Sequence, residues 1–256
     1  MLSVSTQITT TDSLILFERM LKSIAFADEI IIFNMERRDQ EFVVLARAYH
    51  ARVIEVETPK IVELIRSRQL AEAHGDWVLI MDGDEIIPPA LKSEIQSVVK
   101  SPSLVSAYYL TRRNFSLGYP LVHGGWGVDS VLRLFRRADF ISWGKEIHSL
   151  PKVKGPTAVL INPMEHHKDE SLEQMVDKTN RYSDIESQQF LDGGLPRVTA
   201  PTLIRKWWME SFRRGVMKGG LLDGPIGLIQ SMYQGFSVLI SYAKLYEKQM
   251  NNRQTL

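Results

Sequence analysis

Residues 75–85, Gly-Asp-Trp-Val-Leu-Ile-Met-Asp-Gly-Asp-Glu, combine a short apolar run with a cluster of carboxylates. Asp82, Asp84 and Glu85 directly follow the uncharged segment 77–81. Two carboxylates separated by one glycine can face the same divalent cation. Mg²⁺ usually takes one or two protein carboxylates and completes its shell with water and substrate phosphates. The spacing therefore predicts a site for Mg²⁺ or Mn²⁺ with a diphosphate, in which Asp82 and Asp84 are the metal ligands.

An ordinary turn is the competing interpretation of this stretch, because Asp-Gly is a common turn signal. The context favours the metal site, since the carboxylates follow an apolar strand and precede Pro88-Pro89 at the start of a predicted helix. His166 and His167 are candidates for a third metal ligand, because imidazole can bind such ions. The competing interpretation is a histidine pair at a strand end.

The segments before residue 81 alternate between strand and helix patterns. Strands are predicted at 2–5, 29–33, 52–56 and 77–81, and helices at 14–24, 41–50 and 61–74. This alternation is typical of a mostly parallel sheet flanked by helices, in which ligands bind beyond the carboxyl ends of the strands. We therefore expect a Rossmann-like α/β fold whose loops after the first, second and fourth strands hold a nucleotide.

The composition excludes several classes of protein. Lys and Arg number 31 and Asp and Glu number 30, so the net charge of +1 argues against a nucleic-acid partner. The chain has no cysteine, which excludes disulfides and thiolate metal sites. The first residues lack a basic region and a long apolar core, so we expect no signal peptide. The apolar stretch 226–240 is interrupted by polar residues and does not predict a spanning helix.

The chain contains a series of short segments whose order and spacing are characteristic. They are ADEIIIF (27–33), AEAHGDWVLIMDGDE (71–85), RRNF (112–115), HGGW (123–126), DSVLRLFRR (129–137), EIHS (146–149), EHH (165–167), KTNRYS (178–183), GGLLDGPIGL (219–228) and SYAKLYE (241–247). Their order and spacing resemble glycosyltransferase family 2, and most of all bacterial enzymes of lipopolysaccharide-core and related surface-glycan assembly. The resemblance covers nearly the whole chain and implies the GT-A fold.

The resemblance also implies roles for individual residues. Asp82 and Asp84 match the D-x-D pair that contacts ribose and the metal–diphosphate. Residues expected near the nucleotide or its diphosphate are Asn34, Arg68, Arg133, Arg136 and, on the same basic strand, Arg137. The family often carries Asp-Ser-x-Ser-x-Asp after its second strand, whereas this chain has Asn-Met-Glu-Arg-Arg-Asp at 34–39. Base recognition is therefore altered, or Asn34 replaces the usual carboxylate.

An inverting sugar transfer needs a base that takes the proton of the acceptor hydroxyl. The resemblance places this base near His148, but Ser149 occupies the position where many relatives have glutamate. The candidates for the base are therefore Glu146, His148 and Asp129. Glu146 and His148 are two residues apart, so on an extended segment both side chains would point to the same side.

The predicted domain organisation separates a catalytic part from a helical appendage. Residues 1–168 are the expected GT-A domain, with a nucleotide half at 1–100 and an acceptor half at 101–168, and residues 169–256 are the C-terminal helical region. Within it, residues 203–218 mix Trp207, Trp208 and Phe212 with five basic residues. Aromatic and basic residues together on a helix suit an anionic membrane surface, although a helix packed on the catalytic domain would share this composition.

The predicted function is that of an inverting, metal-assisted glycosyltransferase of cell-envelope polysaccharide or lipopolysaccharide biosynthesis. It would use a nucleotide-sugar donor and a glycan or lipid-linked acceptor. We expect a cytoplasmic protein, bound peripherally to the cytoplasmic face of the inner membrane. The alternative is a catalytically degenerate GT-A module that binds a nucleotide or carbohydrate. A nucleotidyltransferase would need a glycine-rich, lysine-bearing phosphate loop near the N-terminus, and the sequence has none.

Overall fold

The computed structural model describes residues 1–127, 129–144 and 149–254, with residues 252–254 described by their backbone alone. The chain divides into two compact units. The first unit contains Met1–Arg112 and Asp129–His166, and the second contains Arg113–Val128 and His167–Leu256. The second unit thus includes the segment 113–128 in addition to the helical region predicted at 169–256. The functional division at residue 168 stays a prediction.

The first unit begins with the predicted alternation of strands and helices. Its elements are β1 (Leu2–Thr9), α1 (Leu14–Ile24), β2 (Glu29–Met35), α2 (Gln40–Ala48), β3 (Arg52–Val56), α3 (Glu63–Ala71) and β4 (Trp77–Ile80). The strands lie in the order β3-β2-β1-β4, each parallel to its neighbours. The carboxyl ends of β1, β2 and β4 therefore meet at one edge, as the predicted α/β fold requires.

The chain then adds strands that run against the first four. The further elements are β5 (Glu85–Ile86), α4 (Pro89–Lys100), β6 (Ala107–Ser116), β7 (Tyr119–Pro120), β8 (Asp129–Arg136), β9 (Phe140–Trp143), β10 (Pro151–Val153), β11 (Thr157–Val159) and β12 (Met164–Asp169). Strand β8 is antiparallel to β4, with Leu79 opposite Leu134 and Trp77 opposite Arg136. Strand β12 is antiparallel to β5. The sheet is therefore mixed and flanked by helices, which confirms the predicted fold class.

The apolar residues of the central strands are buried on both faces of the sheet. Alternate residues of β2 enter different clusters: Ile32 packs with Phe17 of α1, whereas Ile31 packs with Leu70 of α3. All residues from 77 to 81 are buried. A strand covered on both faces reads as a continuous apolar run because successive side chains point in opposite directions. The run at 77–81 therefore predicted the central strand correctly.

The second unit is mainly helical. It contains α5 (Leu172–Asp192), α6 (Ala200–Phe212), a π-helical turn (Arg213–Met217), a 3₁₀ turn (Gly220–Asp223) and α7 (Gly224–Gln254). Helix α6 therefore ends at Phe212, before the basic pair Arg213-Arg214, and α7 begins at Gly224. Within the described residues, no helix is both long and apolar enough to cross a membrane.

Candidate active site

Asp82 lies at the centre of a cluster of paired charges at the carboxyl edge of β1 and β4. Its Oδ1 accepts hydrogen bonds from Nε2 of Gln7 on β1, at 2.7 Å, and from Arg66 on α3. Its Oδ2 accepts a hydrogen bond from Arg133 on β8. Both arginines are buried, with side-chain exposures of 3% and 7%. Both oxygens of the first D-x-D carboxylate are therefore bonded within the protein.

A pair of buried glutamines fixes the guanidinium of Arg66. Its Nη1 donates to Oε1 of Gln7 and to Oε1 of Gln69, each at 3.1 Å, and Nε2 of Gln69 donates to the same Gln7 oxygen at 3.0 Å. The guanidinium also lies 5.8 Å from the centre of the Trp143 ring. Because Arg66 and Gln69 lie three residues apart on α3, one face of the helix presents both groups to β1.

Glu85 extends the network of ion pairs and is completely buried. Its Oε2 accepts a hydrogen bond from the backbone N–H of Asp82 at 2.8 Å, and its Oε1 accepts one from Arg133 at 3.1 Å. Nη1 of Arg112 lies 3.6 Å from the same Oε1, and Arg112 also pairs with Asp129. The carboxylates of Asp82, Glu85 and Asp129 are thus balanced by three guanidinium groups.

Asp84 is the acidic group of this edge that no arginine neutralises among the described contacts. Its side chain is 31% exposed, and its Oδ2 lies 3.6 Å from Nε2 of His166. The pairing of β12 with β5 sets this approach, because His166 lies opposite Glu85 in the register. A carboxylate and an imidazole are suitable ligands for Mn²⁺ or a similar ion.

The described residues contain no group of three or more histidine, aspartate or glutamate side chains that could hold a metal ion. A cation at Asp84 and His166 would therefore take the rest of its shell from water and a substrate diphosphate, as Mg²⁺ commonly does. The donor types fit such an ion. Asp82 fits less well, because its two oxygens already accept hydrogen bonds from Gln7, Arg66 and Arg133.

The arginines determine the ionisation of Asp82. Burial by itself would raise the pKa of Asp82, but the attraction of Arg133 and Arg66, with hydrogen bonds from Arg66 and Gln7, holds that pKa well below its usual range. Burial would likewise lower the pKa of Arg133, whereas Asp82 and Glu85 raise it above its usual range. Asp82 and Arg133 are therefore both charged at neutral pH.

The structure does not bring Arg68 and Arg136 to this cluster. Arg68 is half-exposed on α3, with its Nε 3.7 Å from Glu72 and its guanidinium 5.8 Å from the Phe33 ring centre. Arg136 lies beside Trp77 at the amino end of β4, where its Nη2 donates to the Ser103 carbonyl at 2.5 Å. Antiparallel pairing of β8 with β4 explains the difference, since it brings Arg133 to the Asp82 edge and carries Arg136 to the opposite one.

Asn34 is buried at the end of β2 and holds the loop that follows. Its Nδ2 donates to Glu55 at 3.0 Å and to the Arg37 carbonyl at 2.7 Å, and its Oδ1 accepts the Arg37 N–H at 3.0 Å. Nη1 of Arg37 donates in turn to the carbonyls of Thr9 and Asp12, at 3.1 and 2.7 Å. Asn34 thus fixes the shape of the loops after β1 and β2, and its contact with a nucleobase stays a prediction.

The three candidates for the base have different positions. Asp129 lies at the start of β8 and joins the cluster through Arg112, with a side chain that is 39% exposed. Glu146 and His148 lie outside the described residues. The roles of all three stay predictions.

Sequence reasoning missed Gln7, Arg66 and Gln69. The helical period could have identified Arg66, because residues four apart lie on the same face of a helix. Arg66 precedes the buried Leu70 by four residues, whereas Arg68 precedes Glu72 by four. Residues two apart on a helix differ by roughly 200° in direction, so only one of the two arginines could face the sheet. Gln7 offered no such signal, because its role depends on the neighbours that folding brings to it.

Comparisons with known proteins support a relationship to glycosyltransferases. No protein-family model matches the chain. The sequence is similar to an uncharacterized glycosyltransferase of Rickettsia typhi, with 22% identity over 277 residues that cover 100% of this chain and 91% of that protein. It is also similar to an uncharacterized glycosyltransferase of Rickettsia bellii, with 23% identity over 269 residues that cover 95% of this chain and 86% of that protein.

A similar solved structure is the mannosyltransferase of Pyrobaculum calidifontis in complex with GDP-mannose and Mn²⁺. The TM-score is 0.45, with 13% identity across 95% of this chain and 86% of the other. The two rickettsial relatives confirm the predicted resemblance to glycosyltransferases. Membership of family 2 and a role in lipopolysaccharide assembly stay predictions.

Replacing Asp82 should destabilise the fold, whereas replacing Asp84 should not. Asp82→Asn leaves Arg66 and Arg133 buried without their shared carboxylate, so we expect the free energy of unfolding to fall by about 3 kcal/mol. The matched change Asp84→Asn should lower it by less than about 1 kcal/mol, because this carboxylate is partly exposed. Urea unfolding of both variants measures the difference, and equal losses would contradict the assignment of separate roles.

The low pKa of Asp82 predicts how its contribution depends on pH. A carboxyl group with a depressed pKa in the folded state stabilises the fold above its unfolded pKa of about 3.9, and the contribution is lost as the pH falls through the folded value. The stability difference between the wild type and Asp82→Asn should therefore be constant from about pH 7 to 5 and shrink below about pH 4. Urea titrations across this range test it, and a difference that grows on acidification would refute it.

Proposed function

We propose that this chain is an inverting glycosyltransferase that moves a sugar from a nucleoside-diphosphate donor to a glycan or lipid-linked acceptor. The observation that carries the proposal is the partly exposed Asp84 beside His166, at the carboxyl edge of a parallel sheet and next to a charge-balanced arginine cluster. The similarity to two proteins named glycosyltransferases, over nearly the full chain, supports it. The proposed acceptor belongs to cell-envelope polysaccharide or lipopolysaccharide.

Asp84 and His166 would hold the divalent cation of this enzyme. When bound, such a cation neutralises the charge that develops on the departing diphosphate. Asp82 has a different role in the proposal. Through Arg66 and Arg133 it fixes the turn at 82–85, and so determines where the carboxylate of Asp84 lies.

Glu146 is the proposed base, with His148 orienting it or the acceptor. The structure supports this choice over Asp129, because the Asp129 carboxylate pairs with Arg112. The carboxylate of Asp129 is already engaged by a guanidinium, whereas a base must be available to the acceptor hydroxyl.

The proposed acceptor is lipid-linked or membrane-bound, so the enzyme would work at a membrane surface. No helix among the described residues is suited to span a bilayer. We propose peripheral binding to an anionic surface as its form of membrane association, on the cytoplasmic face of the inner membrane.

The second candidate function is that of a catalytically degenerate module that binds a nucleotide or carbohydrate. The bonding of both Asp82 oxygens within the protein favours it, because the first D-x-D carboxylate then serves the fold through Gln7, Arg66 and Arg133. Sugar transfer separates the two candidates. A degenerate module would bind a nucleotide without transferring or hydrolysing its sugar.

Nucleotide binding should depend on a divalent cation through Asp84 and His166. Calorimetry with UDP or GDP and Mn²⁺ should show affinity reduced by EDTA, and reduced about 10- to 100-fold by Asp84→Asn or His166→Ala, since each change removes a charge-assisted contact. Asp76→Asn is a matched control, because it removes an exposed carboxylate at the opposite end of β4. Binding that survives both EDTA and Asp84→Asn would refute the cation site. No binding of any nucleotide would refute the proposed function.

Glu146→Gln should slow turnover without weakening the nucleotide complex. The substitution keeps the shape of the side chain and removes its basicity, so we expect kcat to fall by about 10²–10⁴. Nucleotide affinity should remain near the wild-type value, because the donor binds at the Asp84 edge. Full turnover in Glu146→Gln together with none in Asp129→Asn would assign the base to Asp129. Full turnover in both variants would point to His148.

A further inference from the structure

The second unit exposes an unusual concentration of large apolar side chains. Among the described residues, twelve such side chains lie between positions 204 and 236: Ile204, Trp208, Met209, Phe212, Val216, Met217, Leu221, Leu222, Leu228, Ile229, Met232 and Phe236. Large exposed apolar patches mark sites of interaction, whereas scattered exposed residues need no explanation. These twelve residues are called the α6–α7 face below.

The apolar stripes of α6 and α7 lie on the same side of the helix pair. The helices are antiparallel neighbours, because a Cβ on Gly235 would meet Trp207 and Ser211, and one on Gly215 would meet Ser231. On each helix, the residues that touch the other helix define a contact direction. At about 100° per residue, the exposed apolar residues of each helix are centred roughly a quarter turn from that direction, in the same rotational sense along the chain. Because the helices run in opposite directions, these two rotations lead to the same side of the pair. The stripes therefore form one continuous surface.

The exposed ionic groups beside the α6–α7 face are cationic. Residues 193–246 contain two acidic groups, Glu210 and Asp223. Glu210 bonds to Arg213 and Arg214, and Asp223, with 5% of its side chain exposed, bonds to His123 at 2.6 Å. Arg205 and Lys218 are exposed in the same segment. The face therefore combines apolar and positively charged groups without an exposed carboxylate among its described residues.

We infer that the α6–α7 face is the surface by which this protein docks on an anionic lipid bilayer. An amphipathic surface with aromatic and aliphatic side chains beside basic groups inserts its apolar residues at the level of the lipid headgroups. Trp208 and Phe212, whose rings stack with centres 5.0 Å apart, are suited to this depth. A second copy of the chain is a poorer occupant, because it would bring the same cations together without acidic partners.

The inferred docking surface is larger than the segment 203–218 that the sequence singles out. The docking surface continues through the turn at Leu221-Leu222 and along α7 to Phe236. Arg213 and Arg214 are not the main lipid contacts, because both pair with Glu210. Arg214 also donates to the Gly124 carbonyl at 3.0 Å and lies 5.2 Å from the Trp126 ring centre. This inference rests on the proposed function only where it explains membrane docking by a lipid-linked acceptor. The composition of the α6–α7 face does not depend on that function.

Vesicle binding by the full chain tests the inference. We expect co-sedimentation with vesicles of phosphatidylglycerol and phosphatidylcholine, and weaker binding to phosphatidylcholine alone. The double variant Leu222→Asp, Leu228→Asp should lower the partition constant by about 100-fold, or about tenfold for each side chain withdrawn from the lipid. The matched control is Leu104→Asp, Ile161→Asp, at positions 90% and 87% exposed in the first unit. It should bind within about twofold of the wild type.

Several results would overturn the inference. Wild-type protein that fails to bind anionic vesicles, or a Leu222→Asp, Leu228→Asp variant that binds as well as the control, would refute it. A dimer in sedimentation velocity that this variant converts to a monomer, without vesicle binding by the wild type, would assign the face to a second copy. Nucleotide binding measured in parallel separates the two proposals, since its loss with retained vesicle binding would refute the proposed function alone.

Discussion

The buried ion pairs of Asp82 with Arg66 and Arg133 join the elements that form the candidate site. They connect the turn after β4 to α3 and to β8, which are distant in sequence. A buried guanidinium without a partner costs several kcal/mol, so Arg66 depends on the shared carboxylate, whereas Arg133 also pairs with Glu85. The position of the turn at 82–85 therefore depends on Asp82 together with Glu85, and the position of Asp84 depends on the turn.

The charge balance of the cluster explains why a cation belongs to the proposed chemistry. Three carboxylates and three guanidinium groups neutralise each other around Asp82, Glu85 and Asp129. A neutral cluster with an additional acidic group, Asp84, has no surplus positive charge with which to hold a diphosphate. A divalent cation on Asp84 would change the local net charge from negative to positive and so attract the anionic donor. In the proposed function, the arginines place and neutralise the fixed acids, and the cation would provide the attraction for the donor.

Local patterns in the sequence were sufficient for the parallel half of the fold and for the edge where the site lies. The run at 77–81 and the Asp-Gly-Asp after it required only the alternation of apolar segments and the chemistry of carboxylates. Of the arginines expected near the nucleotide or its diphosphate, Arg133 lies at this edge, whereas Arg68 and Arg136 lie elsewhere. The rotational phase of α3 accounts for the position of Arg68, and the antiparallel register of β8 accounts for that of Arg136. Both are properties of packing between distant segments, which a single sequence does not specify.

The pair of α6 and α7 leaves many large apolar side chains on its outer surface. A helix pair in water ordinarily buries such side chains between the helices and exposes polar ones. Here the contact between the two helices places small residues opposite each other beside Trp207, with Gly235 against Ser211 and Gly215 against Ser231, so that the backbones approach closely. Small residues inside and large apolar residues outside are typical of helices that face lipid. Together with the exposed cations of this segment, this distribution supports the inference that the outer surface docks on an anionic bilayer.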